Sequence, residues 1–256
     1  MLTEERQREI VAMVETSGTV TVPDLAQRFD TSESTIRRDL DRLDQDGLLV
    51  KVRGGASSVA SALRGQARAF ASHDMPLTDK FSMNSQEKAR IGAYAATLVG
   101  PDDFVFIDAG STTLALVKNL AGSPATFVTN SLGHARVLAS QGCKVIVTGG
   151  ELKPNTEALV GSDALGSISR YNFTLGFWGT NGVTPEQGFT TPETNEASFK
   201  SLSMKRCQAR YVLADATKIG MVAPITFADF SSATLITCGE VGSSLVAYNN
   251  VLEVQQ

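Results

Sequence analysis

Apolar residues follow two regimes along the chain. In the first 55 residues they are sparse and recur three or four apart; further on they gather in short solid runs between helical stretches. Ile10, Val11 and Val14 share one face of a helix that Thr3 caps, with Glu4 and Glu5 near its positive end and Gly18 as its stop. Val20-Thr21-Val22 reads as a short extended bridge. Thr21 then caps a second helix, with Pro23 in the first turn, Asp24 three residues after the cap, and Leu25, Ala26 and Phe29 as its buried face. Asp30-Thr31 forms a turn. Ser32 caps a third helix, in which Ile36, Leu40 and Leu43 recur at i, i+4 and i+7 and which Gly47 ends. Leu48 to Arg53 alternates in part and runs into Gly54-Gly55, the pattern of a hairpin or wing.

Two short helices, a tight turn and a third helix predict a helix-turn-helix. With Ile36, Leu40 and Leu43 facing inward, Ser32, Ser34, Thr35, Arg37, Arg38 and Arg42 remain for DNA. Arginines on such a helix reach phosphates, or O6 and N7 of guanine in the major groove. Lys51 and Arg53 add backbone contacts from the wing. The competing reading is a solvated helix whose three arginines pair with Asp39, Asp41 and Asp46. The three-helix context favours DNA.

Charge alone does not point there. The whole chain carries a net −4, and residues 1–55 hold 8 Lys/Arg against 11 Asp/Glu. The DNA argument therefore rests on where the positive groups sit, not on their sum.

The stretch ASSVASALRGQARAFAS (56–72) has little apolar periodicity and predicts a tether or a weak linking helix. Beyond it, Lys88 to Leu98 is helical. Phe104–Ile107, Phe127-Val128, Lys144–Val147, Thr174–Trp178, Tyr211–Ala214 and Leu235-Ile236 read as strands, the first without polar alternation, as expected when both faces are covered. The fold class predicted is α/β, with a largely parallel sheet behind a winged helix-turn-helix. Expected boundaries are 1–56 for the DNA-binding domain, 57–75 for the linker and 76–256 for a sensing domain.

Ligands in such sheets bind beyond the carboxyl ends of strands. Five small polar loops fall there: Asp108–Thr113, Thr129-Asn130-Ser131, Gly149-Gly150, Gly179–Gly182 and Asp215–Lys218. In the first, Gly110 permits close approach, Ser111, Thr112 and Thr113 supply hydroxyls, and a following helix start favours an anion. Lys218 in the last offers a counter-charge. Each loop alone has a bland reading as a cap or turn; five in one domain favour a shared pocket.

The remaining composition narrows the class. Hydrophobic residues make up 42% and charged residues 20%, an ordinary globular balance. The start MLTEERQREI lacks the apolar core of a signal peptide, and no run is long enough to span a membrane, so a cytoplasmic protein is expected. Cys143, Cys207 and Cys238 are odd in number and far apart, which suits buried reduced thiols and not a metal site.

The run TSESTIRRDLDRLDQDGLL…KVRGGA resembles the DNA-binding head of the DeoR-type bacterial repressors, with Arg53 where that family often has histidine. IDAGSTT, VTNS, GGELKPNTEALVG, FWGTNGV, GFTTPETNEASFK and VLADATKIG resemble its C-terminal domain. The resemblance implies a fold related to sugar-phosphate isomerases and a phosphorylated sugar as effector. It implies Asp108, Gly110, Ser111, Thr112, Thr113, Asn130, Gly179, Asn181, Glu196, Lys200, Asp215 and Lys218 as effector-binding residues. The expected partners are operator DNA, the effector and further copies of the chain in a dimer or tetramer, with no cofactor, metal or catalytic residue. The rival is a sugar-phosphate isomerase, which needs a positioned base. Tyr171 to Pro185 holds no Asp or Glu, which disfavours catalysis, though Asp108, Glu196 and Asp215 remain as conceivable bases. An architectural DNA binder would leave the polar loops without a purpose.

Overall fold

The structure, a computed structural model, describes residues 3–17, 19–52, 54–58, 71, 83–239, 245 and 248–255. The chain forms two compact units, Met1–Ala69 and Phe70–Gln256. Arg53 and most of the expected linker lie outside the described residues.

The first unit holds α1 (Thr3–Ser17), β1 (Thr19–Thr21), α2 (Val22–Arg28), α3 (Glu33–Gln45), β2 (Val50–Val52) and β3 (Gly55–Ser57). Thr3 is the first helical residue of α1 and so lies inside the helix, not at the cap position expected for it. Thr21 Oγ1 accepts the amide of Asp24 at 3.3 Å, and Ser32 Oγ that of Thr35 at 3.2 Å. The Thr21 hydroxyl serves an amide of the first turn, and the Ser32 hydroxyl shares the Thr35 amide with the Ser32 carbonyl, at 3.0 Å. Ile10, Val14, Val22, Leu25, Ile36, Leu40, Leu43, Leu49 and Ala56 form one core. β1, β3 and β2 make an antiparallel sheet in that order, so the wing is stitched back onto the start of α2. The glycine pair follows from this. Gly54 has φ +88°, and a Cβ on Gly55 would lie 2.0 Å from the Val20 carbonyl oxygen.

The second unit is built on seven parallel strands: β4 (Phe104–Ile107), β5 (Thr126–Thr129), β6 (Lys144–Val147), β9 (Phe173–Gly179), β12 (Cys207–Leu213), β14 (Thr234–Cys238) and β15 (Val251–Val254). Their order is β15-β14-β12-β9-β4-β5-β6. Helices cover both faces. Ile91 and Ala95 of α4 (Ser85–Ala96), Leu116 of α5 (Ser111–Val117) and Leu138 of α6 (Leu132–Ser140) pack with Val105, Ile107 and Phe177. Ile168 of α7 (Ser162–Ile168) and Phe199 and Met204 of α8 (Thr194–Lys205) pack with Phe106, Val128 and Trp178. The buried Trp178 indole donates to Ser203 Oγ at 2.9 Å.

Smaller pieces complete the unit. β7 (Glu151–Lys153) and β8 (Ala158–Val160) form a hairpin. β10 (Gly182–Thr184), β11 (Gly188–Thr191) and β13 (Ile225–Ala228) form an antiparallel sheet. Among the described residues no helix is long and apolar enough to cross a membrane.

From β4 the chain winds outward through β5 and β6; from β9 it winds the opposite way through β12, β14 and β15. The winding reverses between β4 and β9, where parallel α/β sheets open a crevice. Asp108 and Gly179 stand at the ends of those two strands.

Candidate nucleic-acid interface and ligand pocket

In the first unit, α3 divides by face. Ile36, Leu40 and Leu43 are buried, and so is Asp39, which accepts from Arg6 Nε at 2.7 Å and Gln7 Nε2 at 3.0 Å. Ser34, Arg38 and Arg42 follow at i, i+4 and i+8 and are exposed along one stripe. Arg37 lies on the neighbouring stripe and pairs with Glu33 at 2.8 Å, both groups being more than half exposed. Lys51 Nζ contacts Asp41, and its amide donates to Asp44 Oδ1 at 3.0 Å. Ser32 Oγ also meets Ser34 Oγ at 2.8 Å and Thr35 Oγ1 at 2.9 Å.

The structure therefore corrects the self-neutralised alternative. Asp39 and Asp41 are taken by Arg6 and Lys51, and Arg38 and Arg42 make no ion pair among the described residues. Arg6 and Gln7 were missed by sequence reasoning, because nothing in a helical repeat says which acidic residue faces inward. Of the DNA-facing residues expected, only Arg53 lies outside the described residues.

In the second unit a cavity of about 800 Å³, open mouth included, lies at the reversal of winding. Four of the five expected loops meet there. Asp108, Gly110, Ser111, Thr112, Asn130, Gly179, Asn181, Glu196, Lys200, Asp215 and Lys218 line it. Thr113 does not: it is fully buried beneath the loop, with its hydroxyl donating to the Gly110 carbonyl at 3.0 Å. Gly149-Gly150 also lies elsewhere. A Cβ on Gly150 would meet the Val160 oxygen at 2.7 Å and the Ala164 methyl at 2.8 Å, so that glycine serves close packing.

Several residues that line the cavity were not anticipated. They include Met83, Lys88, Thr156 and Ala158; Thr180 and Thr217 line it from two of the expected loops. Lys88 was legible only as part of a helix; its position opposite Asp215 needs the fold.

Each carboxylate in the cavity has an ammonium partner. Lys200 Nζ contacts Asp108, donates to the Gly179 carbonyl at 3.0 Å and lies 5.4 Å from the Phe227 ring centre. Lys153 Nζ bridges Glu193 and Glu196, each at 2.7 Å. Lys88 Nζ stands 3.9 Å from Asp215 Oδ2, while Asp215 Oδ1 accepts from Asn84 at 3.1 Å and from the Thr217 amide at 3.1 Å. Burial pushes the Asp108 carboxyl up, and the Lys200 charge and hydrogen bond pull it back. Lys218, half-buried on a turn of 3₁₀ helix (Ala216–Lys218), makes no ion pair among the described residues. Lys218 is thus the lining cation with no carboxylate partner among the described residues.

Two side chains act as struts. Asn130 Oδ1 accepts the Ala109 amide at 2.9 Å, tying the end of β5 to the loop after β4. His134 Nε2 lies 3.1 Å from the Gly110 carbonyl. Burial lowers the His134 pKa to about 4, so the ring is neutral at pH 7 and Nε2 carries the proton that the carbonyl accepts.

A helix-turn-helix head with an open arginine stripe, carried on the same chain as an α/β unit with a charged cavity, defines a DNA-binding regulator. Residues 6–62 match the DeoR-like helix-turn-helix domain and residues 83–239 the DeoR C terminal sensor domain. The chain belongs to the DeoR family of transcriptional regulators. It is 35% identical to an uncharacterized HTH-type transcriptional regulator, FruR, of Bacillus subtilis, over 93% of this chain and 91% of that one. It is 34% identical to the HTH-type transcriptional regulator GlpR of Haloferax volcanii, over 92% and 89%. The lactose phosphotransferase system repressor of Streptococcus mutans is 28% identical over 92% of each chain. These relatives are named as regulators and not as enzymes. Among solved structures, ribose 5-phosphate isomerase A of Methanocaldococcus jannaschii overlays 53% of this chain and 55% of its own. Its TM-score is 0.41 at 12% identity, too distant a likeness to speak of activity.

Proposed function

We propose that the chain represses sugar-uptake or sugar-catabolism genes and leaves its operator when a phosphorylated sugar fills the cavity. The observation that carries this is Lys218: Asp108, Glu196 and Asp215 each contact a lysine, while Lys218 has no carboxylate partner among the described residues and is open to an anion. An aldose or ketose phosphate combines that anion with a row of hydroxyls, and the cavity answers both. Lys218 and the backbone amides of Ser111 and Thr112 face the phosphate. Helix α5 has only seven residues, so its dipole adds little and the lysine carries most of the attraction. Asp108, Asn181 and Glu196 take the hydroxyls, and Asn130 holds the loop they approach.

The head binds DNA as a symmetric pair of half-site readers, which requires at least a dimer. A cytoplasmic location follows from that task. The isomerase alternative stays disfavoured because Tyr171 to Pro185 holds no Asp or Glu to serve as the base.

Titration of the purified full chain with sugar phosphates, read by the fluorescence of Trp178, the single tryptophan, tests the pocket. Binding of at least one at sub-millimolar concentration, weakened about tenfold or more in Lys218→Ala, is expected. Equal affinity in that variant places the anion elsewhere; no binding at millimolar concentration overturns the sensing reading.

A further inference from the structure

We propose that Thr156, at the tip of the β7–β8 hairpin, is a ligand-reading residue whose hydroxyl completes its hydrogen bonding on an oxygen of the bound phosphosugar. The proposal deepens the reading above and rests on it.

The hairpin crosses between two walls of the cavity. At one side the Leu159 amide donates to the Asn130 carbonyl at 2.7 Å, the Leu132 amide donates to the Glu157 carbonyl at 3.3 Å, and Ala158 bridges Ser131. At the other side Lys153 holds Glu193 and Glu196, at the start of α8. The four-residue turn between the strands, Pro154 to Glu157, is exposed except at Thr156, which is 7% exposed and lines the cavity.

A polar residue buried at a hairpin tip needs a reason. A buried hydroxyl with no hydrogen bond costs about 1–3 kcal/mol of folding free energy. Thr156 Oγ1 has no hydrogen-bond partner among the described residues. Four other buried side-chain groups share that condition, at His134, Gln141, Thr148 and Thr237, and none of them lines the cavity. Among the described residues Thr156 is the one that both lines the cavity and holds an unsatisfied buried group. The backbone is set for this placement: Glu157 adopts φ +50°, a left-handed conformation that turns the chain directly after Thr156. A threonine hydroxyl both donates and accepts, so it matches either a phosphate oxygen or a sugar hydroxyl.

The test uses the full chain with T156V, which removes the hydroxyl at nearly constant shape, and T156S, which keeps it. Each is titrated with glucose 6-phosphate, fructose 1-phosphate, ribose 5-phosphate and glycerol 3-phosphate, and each is melted without them. The expected result is that the phosphate bound by the wild type binds T156V about tenfold more weakly and T156S within about threefold. Ligand-free T156V is expected to melt at or above the wild type, because valine needs no partner. Wild-type affinity in T156V overturns the proposal and leaves the sugar-phosphate reading intact. If none of the four binds the wild type, that reading falls and this proposal with it. A T156V that melts lower has lost a hydrogen bond already made within the protein, which overturns the proposal. One that melts higher marks a ligand group kept against stability.

Discussion

At the residue scale, the arginines of α3 are not equivalent. Arg38 is open along the Ser34–Arg42 stripe, while Arg37 must leave Glu33 before it reaches DNA. Arg38→Ala should weaken operator binding by about 1–3 kcal/mol if it grips a guanine, or lower the salt slope by about one if it grips a phosphate. Arg37→Ala should cost less, because the ion pair it gives up offsets what it gains. Salt-dependent binding isotherms of both variants decide this, and a larger loss for Arg37 would contradict the assignment of faces. His134 yields a pH prediction. Its folded pKa, about 4, lies below the unfolded 6.5. Above pH 6.5 neither state binds the proton, and the neutral strut contributes fully. Below that pH the unfolded chain takes up a proton that the fold refuses. Stability then falls by up to about 1.4 kcal/mol per unit toward pH 4. Denaturant melts at pH 7.5 and 5.5 should show this loss in the wild type and a smaller one in His134→Gln. The loop residues of the pocket were legible because short polar loops after strand-like runs mark strand ends, whereas Glu196 and Lys200, on α8, came only from the family resemblance. Thr113 was misassigned because neighbouring hydroxyls in one loop point opposite ways, into the cavity and beneath it, and sequence does not encode that choice.

At the element scale, caps and glycines were the readable features. Thr21 and Ser32 cap α2 and α3 as their spacing predicts, and Gly54-Gly55 mark the wing, since the second lies against the backbone of Val20. The β7–β8 hairpin was not readable. Strands of three residues show too little alternation to be told from loop, and its Lys153, Thr156 and Ala158 gain meaning only beside α8 and the end of β5. The α1–α3 contact was equally hidden: Asp39 sits within an acidic-basic run that reads as solvated, yet it is buried on Arg6 and Gln7. Asp39→Ala would strand Arg6 in a buried site and should destabilise the head by about 3 kcal/mol. Thermal unfolding of the full chain should show a lowered first transition; an unchanged one would mean the pair contributes nothing.

At the scale of the whole molecule, the proposed switch requires two units that fold on separate cores to exchange information. The head carries the DNA contacts; the second unit places a charged cavity where its sheet reverses its winding, between β4 and β9. A ligand shifts DNA affinity only if it binds the two states of the protein unequally, and DNA must then weaken ligand binding by the same factor. A net charge of −4 gives no general pull toward DNA, so small changes in how the α3 stripes are presented should have large effects on binding. The most direct measurement is operator affinity with and without the sugar phosphates, using a duplex selected from a random pool by the protein itself. The expected result is that one of them lowers wild-type affinity at least tenfold, while Lys218→Ala and Thr112→Ala bind the duplex as the wild type does and respond weakly. Affinity unchanged by every sugar phosphate at millimolar concentration, or a full response in both variants, would contradict it.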